Sequence, residues 1–354
     1  MDILPQTTLA RISTDIRVTR LLPQRGEVNI QNGQEVSPTQ IIARSYQSAQ
    51  FHILEANRLY GIEPAELENL LLVDVGTPLE EGTPLIRKPG RSDKQKVISS
   101  PVAGVLAEVF DGNLIIQRPQ KLFELRAMVH GKVSRIIPRM GAELQLIGSI
   151  VQAIWDSGRE SHGRLFISTD SNDSELTLEN IRTEMGRSIV VAGKLSANEL
   201  LEVLENYQAR GLIIGSIPAA LIPKAREVVF PIFVTDGFGE QSMSAPLFEV
   251  LKQSSGKEAS LLRAPRENGS QRSEIIIPTP DSQYVKSGNS GWDLLKNGDY
   301  IRVVMSRHNL LGKVITVHPE ARRTISGGWM PGADIELNSG EVVFVPYTNI
   351  DVIN

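Results

Sequence analysis

Apolar and polar residues alternate in short stretches along the first third of the chain, and a glycine interrupts almost every stretch. In the stretch that carries Val105, Ala107 and Val109, the alternation predicts a strand with one face in a core. Glycine suits a sharp bend or a close approach between backbones, so each copy of the pattern predicts a strand, a turn and a second strand. Residues 51–72 are predicted to be helical, with Pro64 opening a second short helix. The four copies of the pattern lie at residues 26–43, 75–86, 101–109 and 131–148.

Longer apolar runs alternate with helix-like stretches in the middle of the chain. Ser196 and Glu199 are spaced as a capping box that opens a helix, and this helix is expected to end at Gly211. Ser244 is expected to cap a later helix. Apolar strands that alternate with helices favour a parallel sheet that is buried on both faces. The predicted strands are residues 189–192, 212–214, 228–235 and 259–263.

Short strands of alternating polarity return after Trp292. Asn338-Ser-Gly340 predicts a hairpin turn between the last two of them. The preceding residues, 265–290, are rich in Pro, Ser, Gly and charged residues and are predicted to be a linker that holds one strand, at 274–277. The C-terminal strands are predicted at residues 298–304, 312–317, 333–337 and 341–345.

Length and composition fit three modules. A chain of 354 residues is longer than one ordinary core accommodates. Its 29 Gly and 20 Pro fit many short strands and turns. We therefore predict a multidomain, β-rich α+β protein with domains at residues 1–163, 164–264 and 265–354. The middle domain is predicted to be a small parallel α/β unit of the Rossmann-like kind.

Composition and charge remove several classes of function. The chain has no Cys, which excludes disulfides, thiolate metal sites, iron–sulfur clusters and a cysteine nucleophile. The five His form no closely spaced pair, so no metal site and no cofactor are predicted. A net charge of -4 argues against a general nucleic-acid coat. No apolar run approaches the roughly 20 residues of a membrane helix, and residues 1–50 lack the apolar core of a signal peptide, so we predict a cytoplasmic protein with no membrane insertion.

The glycine-centred pattern resembles the barrel-sandwich hybrid fold of lipoyl and biotinyl domains. This fold also occurs in the C subunit of Rnf-type electron-transport complexes and in membrane-fusion adaptors of efflux systems. The resemblance covers about residues 18–156, with a helical insertion. In carrier domains a lysine at a hairpin tip bears the cofactor, and the matching hairpin here spans residues 87–96, before Pro101-Val-Ala-Gly104. The tip is longer than a carrier tip and has no flanking methionines, so a solvated basic loop is the favoured interpretation. The lysines in question are Lys88, Lys94 and Lys96.

The C-terminal pattern resembles a KOW-type, SH3-like β-barrel over about residues 294–353. The match rests on Gly298-Asp299, Leu311-Gly312-Lys313-Val314 and Val345-Pro346. Such modules contact RNA, polymerase or other proteins, which implies a protein partner or RNA here. Tyr347 or Trp329 would stack on bases, but Trp292 and Trp329 are otherwise expected to pack in a core or at a hinge. The residues expected to contact nucleic acid or a partner are Arg302, Arg307, His308, Lys313, Arg322 and Arg323.

The middle domain offers a second candidate site. In parallel α/β sheets, ligands bind at the C-terminal ends of the strands, where backbone N–H groups can hold a phosphate or carboxylate. Neither a G-x-G-x-x-G nor a G-x-x-x-x-G-K-[ST] loop follows these strands, so tight turns and caps are the alternative interpretation. The ligand-binding candidates are Gly193, Gly215, Ser216, Thr235, Asp236, Gly237 and Gly239.

No standard catalytic constellation is present in the sequence. Asp236 has no acid–base partner nearby in the chain, and there is no G-x-S-x-G motif. The favoured function is a non-enzymatic scaffold or adaptor that binds a macromolecular partner. The alternatives are a sensor of a phosphate- or carboxylate-bearing small molecule, a transcription or translation accessory factor that contacts RNA, and an acyl or biotinyl carrier.

Overall fold

A computed structural model describes residues 7–88, 96–263, 272–279, 295–303, 310–324 and 326–353. In these ranges the protein has 25 strands and five α-helices, which confirms the β-rich α+β class. One 16-stranded sheet runs through all three predicted modules. Three smaller sheets, of four, three and two strands, lie in the N-terminal part of the chain.

The N-terminal part is held by two long strands, β1 and β13, which pair antiparallel from Ala10↔Val151 to Leu21↔Gly141. Its core includes Val18, Ile42 and Leu144. The elements of this part are β1 (Thr7–Leu21), β2 (Glu27–Val28), β3 (Glu35–Val36), β4 (Ile41–Tyr46), β5 (Phe51–Glu55), α1 (Ala56–Tyr60), α2 (Pro64–Leu70), β6 (Pro78–Leu79), β7 (Pro84–Lys88), β8 (Lys96–Ser99), β9 (Gly104–Phe110), β10 (Asn113–Gln117), β11 (Leu122–Arg126), β12 (Gly131–Ile137) and β13 (Gly141–Ala153).

A second N-terminal core lies in an inserted unit, residues 51–117. The chain enters and leaves this unit along a two-stranded ribbon, in which Tyr46 pairs with Leu122 and Phe51 pairs with Gln117. Leu85, Leu106 and Ile116 are fully buried in the core of the unit. The two cores are separate clusters, so the N-terminal part contains two packing units.

The predicted helix over residues 51–72 is only partly correct. Residues 51–55 form strand β5, which pairs antiparallel with β10. Helices α1 and α2 then follow as two short pieces, and Pro64 opens α2 as predicted. The alternation of exposed Phe51 and Ile53 with buried Leu54 belongs to a half-buried strand.

The middle of the chain forms a parallel sheet, as the apolar runs predict. Strands β15 to β18 pair in parallel in the order β18-β17-β16-β15. Leu201 of α3 packs with Val190 in the core on one face of the sheet, and Phe248 of α5 packs with Phe233 in the core on the other. The elements here are β14 (Trp155–Asp156), β15 (Ser161–Ile167), β16 (Ser188–Lys194), α3 (Glu199–Asn206), β17 (Gly211–Ile217), α4 (Ile222–Glu227), β18 (Ile232–Phe238), α5 (Ala245–Lys252), β19 (Glu258–Leu262) and β20 (Ser273–Pro278).

Details of this unit differ from the sequence expectations. The fourth predicted strand exists as β19 but runs antiparallel to β15. Helix α3 begins at Glu199 after Asn198, and no side chain caps it, so the capping box does not form. The left-handed residue after α3 is Gln208, with a φ of 57°, whereas Gly211 is the first residue of β17. Strand β20, predicted in the linker, lies between β19 and β13 and joins this sheet to the N-terminal part.

The C-terminal part is an antiparallel arrangement of five strands. Its core includes Ile301, Ala333 and Ile335, which are fully buried. The last strand, β25, pairs antiparallel with β21 and parallel with β1, so the C-terminal strands continue the sheet of the N-terminal strands. The predicted hairpin at residues 338–340 is present between β23 and β24. The strands are β21 (Tyr300–Val303), β22 (Leu310–Arg323), β23 (Trp329–Leu337), β24 (Val342–Pro346) and β25 (Ile350–Ile353).

Candidate functional site

The ends of the parallel strands are covered by the chain's own backbone. A Cβ added to Gly193 would lie 2.5 Å from the carbonyl oxygens of both Asn172 and Ser174. A Cβ added to Gly215 would lie 2.4 Å from the backbone N of Met243. These two glycines therefore serve close packing of backbone segments over the strand ends, and the space that a ligand would need is filled.

The other strand-end positions are also engaged within the protein. Ser216 is fully buried, and its hydroxyl donates to the carbonyl oxygen of Gln241 at 2.5 Å. The backbone N–H of Gly239 donates to the carbonyl of Ile217 at 2.9 Å. Gly237 is buried, next to Asp236. The structure thus brings the predicted residues to one edge of the sheet, where they bind each other and the covering segments.

Asp236 lies at the centre of a buried polar network. Its Oδ1 accepts hydrogen bonds from Arg302 Nη1, at 2.6 Å, and from the hydroxyl of Ser244. Its Oδ2 accepts a hydrogen bond from Thr235 Oγ1 at 2.6 Å. Ser244 is the residue before α5 and was predicted to cap this helix. Its hydroxyl binds the Asp236 carboxylate instead, so no side-chain cap forms. A carboxylate that is this fully hydrogen-bonded and buried is a structural anchor rather than an exposed general base.

Arg302 carries the network into the C-terminal part. Its side chain is 2% exposed and also binds Asp351, with 2.9 Å between Nη2 and Oδ2. Asp351 in turn pairs with Arg272, which lies next to β20. The four charges join β18, β21, β25 and the start of β20, so one network links the parallel sheet to the C-terminal strands. Two carboxylates around a buried guanidinium offset the free energy that its desolvation requires.

The position of Arg302 corrects one sequence expectation. We expected Arg302 to contact nucleic acid or a partner, but a guanidinium enclosed by two carboxylates offers no surface to a phosphate. We therefore reassign Arg302 to the internal network. Arg307 and His308, from the same predicted set, lie outside the described residues.

A small depression remains beside the strand ends. It has a volume of about 290 Å³ and is bounded by Asn172, Gln241, Ser244 and Leu311. Asn172 Nδ2 donates to the carbonyl of Met243 at 2.6 Å, so its amide nitrogen is already engaged in holding the cover in place.

The remaining predicted contact residues lie on the hairpin of β22 and β23. Lys313, Arg322 and Arg323 are all exposed on β22. Trp329 is 70% exposed, and it lies directly opposite Arg323 across the hairpin. The expectation that Trp329 packs in a core or at a hinge is therefore wrong, and Trp292 lies outside the described residues.

This hairpin extends beyond its neighbours in the sheet. Strand β21 pairs with β22 only up to Lys313, and β24 pairs with β23 only from Gly332 onward. Residues 319–324 and 326–331, called the arm below, thus have only each other as strand partners among the described residues. At the base of the arm, the Asp334 carboxylate binds His318 at 2.7 Å and Arg322 at 3.5 Å. Tyr347, the other predicted stacking residue, is buried, and burial raises the pKa of its phenol.

The lysines of the carrier-like hairpin hold helix α1. Lys88 Nζ donates to the carbonyl oxygens of Tyr60, at 2.5 Å, and Gly61, at 3.0 Å. Lys96 Nζ lies 5.6 Å from the centre of the Tyr60 ring. Lys88 and Lys96 therefore stabilise the end of a helix, where a cation is favoured. Lys94 lies outside the described residues.

Sequence reasoning missed the network and the exposure of the arm for different reasons. Arg302 and Asp236 are 66 residues apart, and no local pattern links them. The arm did carry a local signal, since Pro319 and Pro331 flank it and Gly327-Gly328 lies at its turn. Prolines tend to occur where a strand has left the interior of a sheet.

No group of three or more metal-ligating side chains occurs among the residues that the structure describes. Across the same residues, each helix is too short or too polar to pass through a bilayer. No protein-family model matches the chain, and no curated protein matches it either.

Proposed function

We propose that the protein is a non-enzymatic scaffold or adaptor that binds a macromolecular partner, with a protein favoured, through the arm. The observation that carries the proposal is the exposure of Trp329 and Met330, at 70% and 41%, beside two arginines on a hairpin that extends past its sheet. Tryptophan and arginine are the residue types that most often dominate the binding free energy of protein interfaces.

The internal network supports the same function. Fixed ion pairs between β18, β21 and β25 hold the C-terminal strands against the parallel sheet. The arm is therefore presented from a rigid base, which lowers the entropy lost on binding. The filled strand ends leave less support for the alternative of a small-molecule sensor.

RNA is the second candidate partner. Arg323 lies opposite Trp329, and an arginine beside an exposed aromatic ring is a common platform for a stacked base. The arm holds Arg322 and Arg323 against Glu320, so its own charge is only slightly positive. A weak phosphate field favours a protein over RNA.

Site-specific photocross-linking tests the proposal. A photoreactive phenylalanine analogue replaces Trp329 in the native cell, and the matched control carries it at Tyr300, which is 51% exposed on β21 in the same part of the protein. We expect a discrete protein adduct from position 329 and none from position 300. An adduct that disappears on nuclease treatment would assign the arm to RNA instead. Equal or absent adducts at both positions would contradict a role of the arm in binding.

A further inference from the structure

Acidic and basic residues are segregated along the inserted unit, whose six Lys and Arg are Arg58 and five residues within 87–96. Residues 59–86 and 97–117 contain eight carboxyl side chains and no Lys or Arg. A surface with this composition attracts cationic groups and repels other acidic surfaces. The eight are Glu63, Glu66, Glu68, Asp74, Glu80, Glu81, Glu108 and Asp111.

A groove of about 470 Å³ lies within this acidic region, between α2 and β9. Its lining includes apolar side chains, among them Leu72 and Val75, which are 37% and 57% exposed, but most of the exposed lining surface is polar. Glu68, Asp74 and Glu108 also line the groove. In the part of the chain that the structure describes, no salt bridge joins these three carboxylates to a cation.

The groove therefore fits a segment that offers apolar side chains beside positive charge. The carboxylates attract Lys or Arg and repel acidic segments, and the exposed parts of Leu72 and Val75 add apolar contact. The arm has this chemistry: Trp329 and Met330 are exposed, and Arg323 and Arg322, respectively, lie opposite them.

We propose that the arm of one copy of this chain docks in the acidic groove of a second copy. This inference rests on the proposed function, because it names the partner surface of the arm. The occupant is a second copy because this chain itself carries both complementary surfaces. Contact between two different surfaces of identical chains is heterologous, so it extends to a ring or to an open chain of copies.

Charge reversal on each surface tests the proposal with purified protein alone. The arm variant is Arg322→Glu with Arg323→Glu, and the groove variant is Glu68→Lys with Glu108→Lys. The control, Glu80→Lys with Glu81→Lys, changes the same charge in the acidic region but outside the groove lining. Sedimentation velocity is measured over a concentration series at low and at high salt.

We expect the wild type and the control to self-associate, more strongly at low salt, and each variant alone to associate at least tenfold more weakly. In an equimolar mixture the two variants regain association. The acidic arm of the first then meets a basic groove, and the basic arm of the second meets an acidic groove. This recovery also shows that both variants are folded.

The other outcomes overturn the proposal. A wild type that sediments as a monomer throughout the series excludes docking between copies, and so does association that neither variant weakens. Variants that stay monomeric when mixed would show that the two surfaces do not meet. If cross-linking from position 329 still yields another protein in these cases, the proposed function stands and only its extension to a second copy fails.

Discussion

Arg302 Nη1 lies 2.6 Å from Asp236 Oδ1, and the two side chains are 2% and 0% exposed. This ion pair joins the end of β18 to β21 and is completed by Asp351 on the other side of the guanidinium. A buried pair of this kind adds little net stability compared with apolar residues, but removing one partner leaves an uncompensated charge inside the protein. The pair therefore acts as a strong constraint on how the C-terminal strands lie against the parallel sheet.

Replacing Asp236 by Ala should destabilise the protein by about 3 kcal/mol, because Arg302 would keep only Asp351 as a charged partner. The measurement is the free energy of unfolding from urea denaturation. The matched control is Arg58→Ala, which breaks an exposed ion pair with Glu55 at 2.9 Å. Exposed pairs contribute roughly 0–1 kcal/mol, so equal losses in the two variants would refute the role assigned to Asp236.

Gly215→Ala should also destabilise the protein, by roughly 1–3 kcal/mol, since the new Cβ would lie 2.4 Å from the backbone N of Met243 and 2.7 Å from the carbonyl of Gly193. Both near neighbours are backbone atoms, so they cannot swing away from the new methyl group as a flexible side chain could. At Gly328 the nearest atom is 3.6 Å away, in the side chain of Thr324, so Gly328→Ala serves as the control. A shift in thermal unfolding temperature that is the same for both variants would contradict close packing at Gly215.

The close packing at Gly215 also means that a bulky substitution there cannot serve as a test of ligand binding. A substitution with Val at this position would block a ligand at the strand end and so could be used to test the small-molecule sensor. In the structure the same change displaces the segment over the strand ends, so loss of binding would report misfolding. The hypothesis of a small-molecule sensor is therefore tested by titrating the unmodified protein with phosphates and carboxylates.

Local patterns in the sequence predicted the parallel strands but not how the modules join. The apolar runs that became β16, β17 and β18 are buried on both faces, and that environment leaves a strong local signal. The pairing of β1 with β13 and β25 joins residues more than 100 positions apart, and nothing local encodes it. Residues 51–55 were predicted as helix because a short apolar run fits either period.

The candidate sites were predicted less well than the strands, for a physical reason. A glycine at a strand end can leave room for a ligand or for a second backbone segment. Only the chain segment that packs against the glycine shows which of the two applies. At Gly193 that segment contains Asn172 and Ser174, which no spacing rule points to. For Arg302, an arginine in a β-strand fits an exposed contact residue or a buried ion pair equally well.

Lys88→Met should destabilise the inserted unit by about 1 kcal/mol, because the two carbonyls at the end of α1 would lose their donor. Arg87→Met, on the exposed face of the same strand, is the control. Intact mass measurement of the protein from its native cell should give no added mass on Lys88 or Lys96, since both side chains already bind α1. A lipoyl or biotinyl group on either lysine would overturn this assignment.

The contribution of Glu274 to stability should fall as the pH rises from about 4.5 to 7. Burial on β20 raises the pKa of this carboxyl to about 7. Gln152 lies directly opposite on β13, and its Oε1 is buried and accepts no hydrogen bond from any described residue, so the surroundings favour a protonated, donating carboxyl. In the unfolded chain a glutamate titrates near pH 4.3, so the folded protein binds the proton more tightly.

Because Glu274 holds its proton more tightly in the folded state between about pH 4.5 and 7, its contribution to the free energy of unfolding decreases with rising pH over that window, by about 3 kcal/mol in total. Glu274→Gln should remove this decrease and leave the variant more stable than the wild type at pH 8. Urea denaturation at pH 5, 6, 7 and 8 measures the slope, and Glu258→Gln, at a half-exposed side chain on the neighbouring strand, is the control. If the wild type and Glu274→Gln lose stability in parallel, Glu274 is ionised in the folded protein and the strand accommodates its charge.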